Sequence, residues 1–173
     1  MATWRVRLFI AAAALLLGVL PATAQYSDLA PAGEGFSVQF PANPTFHPDA
    51  PSRDIVARSW TAAQGGYTFF MGRGETKSGL TINAFDATFK TDQDDVVTSM
   101  KGTLLHSDRI EWPGPDGPLP ALLFAMRVGN GYAEYLETIR GKVVFAIFVM
   151  ARTDSPAARD EVDRLVRTLR ITP

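Results

Sequence analysis

Between Ala121 and Arg152 the chain reads ALLFAMRVGNGYAEYLETIRGKVVFAIFVMAR, three apolar-rich runs separated by two tight-turn signals. Asn130-Gly131 offers two residues that tolerate positive φ and Gly141-Lys142 puts glycine first, as two-residue hairpin turns require. The pattern therefore predicts a three-stranded meander. Its last run, Val143 to Met150, is apolar without a break; a strand with one wet face alternates, so both faces of this strand are expected to be covered. The middle run carries Glu134 and Glu137. Odd spacing on a strand sets them on opposite faces, so they cannot work as a catalytic carboxylate pair, and such charges are expected nearer a sheet edge.

The same patterning gives the remaining elements. Phe36, Val38 and Phe40 alternate with Ser37 and Gln39 in a half-buried strand stopped by Pro41, and a proline-rich loop holding a solvated His47 runs from Pro41 to Pro51. Ile55 to Ala62 and Tyr67 to Met71 form a hairpin across Gln64-Gly65-Gly66. Leu80 to Phe89 reads as a strand, and Thr91 or Asp92 then caps a short helix with Val96, Val97 and Met100 inward and Gly102 at its end. Thr103 to Trp112 is another strand containing a structural His106, and Pro113 to Pro120 a stiff loop. The last helix is the clearest of all. Ser155 is its N-cap and Pro156 its first residue, acids precede arginines along it, and Val162, Leu165, Val166 and Leu169 form its apolar stripe. This helix is expected on one face of the Val143 strand, and the mid-chain helix on the other.

Residues 1–24 stand apart from this pattern. Arg5 and Arg7, an apolar run from Leu8 to Leu20 and the small-x-small Ala22-Thr23-Ala24 read as a signal peptide cleaved at Ala24/Gln25. The run is too short to anchor the product in a membrane. A periplasmic or secreted single domain, residues 25–173, is therefore expected. The chain has no cysteine, so disulfides and a lipid-accepting cysteine are excluded and stability rests on a packed core. Losing Arg5 and Arg7 leaves 15 Lys+Arg against 18 Asp+Glu, a net charge of −3 that argues against nucleic acid or an anionic membrane surface as partner.

Gly33-Glu34-Gly35 lacks the preceding strand and third glycine of a dinucleotide fingerprint, and in Gly72 to Ser78 a threonine stands where a phosphate loop needs glycine before the lysine. After Asp92 and Asp94 a calcium loop would need another oxygen ligand and a glycine, but Val96 and Val97 follow. Ser37 lacks the second glycine of a nucleophile elbow. The residues thus nominate no catalytic group, no metal ligands and no cofactor. Trp112, before the proline-rich loop, and Tyr132, after the hairpin turn, are the candidate ligand- or partner-binding residues, because amphipathic aromatics at strand ends are common recognition anchors.

The succession of Gly35-Phe36-Ser37-Val38-Gln39-Phe40-Pro41, the Trp60 and Tyr67 hairpin, a mid-chain helix, the Tyr132 to Met150 meander and a final helix ending in Leu169-Arg170-Ile171 resembles secreted bacterial domains of the PsbP/Mog1-like fold. The resemblance implies an α+β domain, an antiparallel sheet flanked by helices in an α/β/α sandwich. It implies no shared task, since that fold serves a photosystem II extrinsic subunit in one branch and a nuclear-transport factor in another. The function expected from the sequence is an exported, non-catalytic binding or accessory domain for a protein partner or a small apolar ligand. The alternative is a periplasmic hydrolase or other enzyme whose residues converge only in three dimensions.

Overall fold

The computed structural model describes residues 25–48, 55–76 and 82–173. The expected leader, the end of the first proline-rich loop and residues 77–81 lie outside them. Strands β1 (Tyr26–Leu29), β2 (Phe36–Pro41), β3 (Thr45–His47), β4 (Ile55–Gln64) and β5 (Tyr67–Thr76) precede helix α1 (Ile82–Ser99). The chain continues through β6 (Thr103–Gly114), β7 (Gly117–Val128), β8 (Gly131–Arg140), β9 (Val143–Ala151), helix α2 (Pro156–Val166) and β10 (Arg170–Ile171). Seven strands form one antiparallel sheet in the order β3-β4-β5-β9-β8-β7-β6, and β1-β2-β10 form a small second sheet. No described helix is long and apolar enough to cross a membrane.

The unbroken apolar run of β9 sits near the middle of the large sheet with both faces sealed. On one face Phe145, Ile147 and Val149 join Phe36, Val38 and Phe40 of the small sheet and Val162, Leu165 and Val166 of α2. On the other, Phe148 joins Phe70, Tyr135 and Phe124 in a row of aromatics across β5, β9, β8 and β7, packed with Phe89 and Val96 of α1. Ser155 caps α2 as the sequence predicts, its Oγ accepting from the Ala158 N–H at 3.2 Å. The small sheet is pinned to the large one by polar contacts. Arg58, opposite Arg73 on the neighbouring strand, donates to the Glu34 carboxylate, and Arg73 Nε donates to the Glu34 carbonyl at 3.1 Å.

Several expectations are corrected. Residues 82–89 are helical and not a strand, so α1 runs unbroken from Ile82 to Ser99. Its inward stripe is Phe85, Phe89, Val96 and Val97, continued by Met100 just past its end, and the buried Asp92 stands where the pattern needs an apolar residue, which hid the 3.6-residue period. Thr91 is consequently no cap: its hydroxyl donates back to the Ala87 carbonyl at 2.8 Å. Within the first proline-rich loop Thr45–His47 forms edge strand β3, and His47 Nε2 lies 2.8 Å from Thr61 Oγ1. Pro113 to Pro120 is the end of the β6–β7 hairpin, with Pro113 opposite Pro118 around a Pro115-Asp116 turn. Prolines are tolerated there because β6 is an edge strand and pairing of β7 with β8 stops at Ala121, so no neighbour needs the missing N–H groups. Finally, the Glu134 and Glu137 strand is β8, between β7 and β9, and not near an edge.

The β7–β8 turn is shifted one residue from the expected one. Gly129 carries the positive φ, 58°, and Gly131 opens β8 opposite Val128. Gly131 is required for a different reason: a Cβ there would stand 2.3 Å from the Ala151 carbonyl oxygen. Gly131→Ala should therefore destabilise by roughly 1 to 3 kcal/mol through forced displacement of β9, against a gain for a merely flexible glycine. Urea midpoints of the two proteins check it; an alanine variant as stable as wild type would mean that the strands do not approach this closely.

Candidate functional site

Trp112 and Tyr132 point from the same face of the large sheet into the same core, at 6% and 5% exposure. The structure does not bring them together. Trp112 stands opposite Leu119 and Tyr132 opposite Arg127 on the intervening β7, so they lie eight residues apart along that strand, ~27 Å. Trp112 Nε1 is buried without a hydrogen-bond partner, and the Tyr132 ring is covered by the Arg159 guanidinium, 5.2 Å from its centroid. Arg159 is held in turn by both carboxylate oxygens of Asp154, at 2.5 and 2.8 Å.

Tyr132 has a partner that the sequence reading did not assign. Its hydroxyl donates to Glu134 Oε1 at 2.5 Å, and Glu134 Oε2 is buried without a hydrogen-bond partner. Burial pushes the Glu134 carboxyl above its ordinary value and neighbouring Asp163 of α2 adds to this, while the Tyr132 hydroxyl, His106 and Arg167 oppose it. Burial and the carboxyl group together keep the Tyr132 phenol protonated far above the usual range. The arrangement repeats on the opposite face, where the Tyr135 hydroxyl donates to Glu137 Oε2 at 2.7 Å. A signal for it was present. Tyr-x-Glu occurs twice in Tyr132 to Glu137, and period 2 on a strand places each phenol beside the carboxylate two residues on. Chemically, each pair can hold a proton between phenol and carboxyl. With the carboxylates on opposite faces, as their odd spacing requires, the two cannot act on one substrate.

One open edge of the large sheet is β6, the other being β3 with Phe46 exposed. Residues 103–109 are all exposed, including Leu104 and Leu105 at 39% each, and among the described residues no strand lies beyond the β6 edge. The register explains the adjacent leucines: Leu104 faces Met126 and His106 faces Ala125, so Leu105 is an extra, bulged residue. Both faces of β6 reach solvent along 103–109, so two adjacent apolar side chains are exposed together. His106 is likewise exposed, on the row of Ala125 and Glu134. Beyond the bulge β6 is fastened to α1, Ser107 donating to Gln93 and Arg109 to Asp86 at 2.6 Å, with the Arg109 guanidinium 4.3 Å over the Phe89 ring. Among the described residues no group of three or more His, Asp or Glu side chains is placed to hold a metal ion.

These features define an antiparallel α+β sandwich with the PsbP-like fold. The chain is similar to the solution structure of cyanobacterial PsbP (CyanoP) from Synechocystis sp. PCC 6803, with a TM-score of 0.58 over 90% of this chain and 98% of that one. Sequence identity is 11%, which speaks for the fold alone. No family model matches the sequence, and no curated protein matches it.

Proposed function

We propose that the chain is an exported, non-catalytic binding or accessory domain that engages a protein partner along the β6 edge. The observation that carries this reading is the pair of adjacent leucines, each 39% exposed, at a bulge on the unpaired edge of the sheet. Isolated surface leucines need no explanation, but apolar side chains beside a row of free backbone donors and acceptors are what strand-adding partners recognise. Trp112 and Tyr132 enter this reading as core supports at the two ends of the face beneath, and the contact surface is assigned to Leu104 and Leu105. Export is supported by the sequence of residues 1–24, where Arg5 and Arg7, the apolar run Leu8 to Leu20 and Ala22-Thr23-Ala24 supply the three regions of a cleavable signal peptide.

The test uses protein recovered from the exported fraction. Its N-terminus should be Gln25, and as bait it should capture a partner that the Leu104→Asp, Leu105→Asp double variant loses. The variant's stability should stay within about 0.5 kcal/mol of wild type, because both leucines are outside the core. Retained Met1 or Ala2 would overturn export, and equal capture by the two baits would overturn the β6 surface.

A further inference from the structure

Resting on the β6 reading, we propose that the partner strand is β6 of a second copy of this chain, paired antiparallel about a two-fold axis at Ser107. The pairing geometry follows from the hairpin. Gly114 and Gly117 close a two-residue turn and exchange both backbone bonds, so backbone groups alternate inward and outward from there. Trp112, Ile110, Asp108 and His106 point theirs at β7; Glu111, Arg109 and Ser107 point theirs outward, away from every described strand. An antiparallel two-fold pair needs a residue on the axis, because facing side chains must lie on the same side of the sheet.

The candidates for that residue differ in what they bring together. An axis at Asp108 or Arg109 sets like charges against each other, which is destabilising. An axis at Ile110 reaches Pro113, which has no N–H to give, and leaves the leucines uncovered. At Ser107 the axis places His106 opposite Asp108 of the second copy, twice, and brings Leu104 and Leu105 against the second copy's Arg109 stem and Ile110. A histidine-to-carboxylate hydrogen bond, made twice, and cover for the exposed leucines thus coincide in one register. The assembly closes on itself, since a two-fold pairing uses the same β6 edge on both copies.

The absence of cysteine makes the test specific. In a hydrogen-bonded antiparallel pair, the two Cα atoms at the axis are about 5.5 Å apart, within the span a disulfide bridges. Purified Ser107→Cys should therefore oxidise to a covalent dimer, whereas Thr45→Cys on the far edge should not. Wild-type protein should double its sedimenting mass across a concentration series, and Asp108→Lys, which sets lysine against His106 twice, should weaken dimerisation about tenfold. Monomeric wild type together with no excess crosslinking of Ser107→Cys over Thr45→Cys would overturn the proposal. If the leucine double variant still lost a different captured protein, the β6 surface would stand and only the second copy would be rejected.

Discussion

Phe145→Ala and Phe148→Ala are each expected to cost about 3 to 5 kcal/mol of folding stability, although the two side chains leave β9 in opposite directions. Phe145 is 2% exposed and meets Phe36 edge-on at 6.3 Å, under the small sheet. Phe148 is 5% exposed in the aromatic row under α1, between Phe70 and Tyr135. Neither site can collapse easily, because each hole would be walled by rigid rings and by a sheet hydrogen-bonded on both sides, so transfer and cavity costs add. Urea denaturation of both variants measures the costs. A loss below about 1 kcal/mol at either position would mean that its face of the sheet is open to solvent.

Folding stability should carry a component that falls as pH rises from about 4.5, and Glu134→Gln should abolish it. The Glu134 carboxyl lies in the core beneath α2; burial raises its pKa above the ordinary 4.5, with Asp163 adding to the effect. The folded state therefore binds this proton more tightly than the unfolded state does. Its contribution is fully present below the unfolded value and is lost as pH rises through the folded value. This sign is opposite to that of Asp154 and Glu161, which their arginine partners hold below the ordinary carboxylate range. Glutamine keeps an oxygen for the Tyr132 hydroxyl but cannot ionise. The stability difference between variant and wild type should therefore move in the variant's favour between pH 4 and pH 8, whatever its offset at acid pH. Parallel pH profiles for the two proteins would show that Glu134 does not titrate abnormally.

Much of the fold was legible because its signals are local. Period-2 alternation and Gly-Gly in β4–β5, the Ser155-Pro156 cap with the Val162, Leu165 and Val166 stripe, and the unbroken run of β9 each depend on residues close in sequence. Helix α1 was misread where a single buried acid, Asp92, interrupts the apolar stripe. The Pro113 to Pro120 hairpin was misread because proline's exclusion from strands applies only where a neighbour needs its N–H, and which strands have neighbours is a property of the whole sheet. The site was less legible. Trp112 and Tyr132 were chosen as aromatics at strand ends, but whether such a ring faces solvent depends on what α2 and the small sheet cover.

The sequence by itself determined the α+β class, the hairpins, the closing helix and the sealing of β9 on both sides, because an apolar run cannot be left in water and a cap or turn acts within a few residues of itself. Only the tertiary structure decided that β8 is interior and β6 an edge, that Glu134 is buried with its proton favoured, and that Leu104 and Leu105 stand exposed at a bulge. Strand order joins β5 to β9 across nearly half of the chain, and exposure follows from that order. No local pattern contains it.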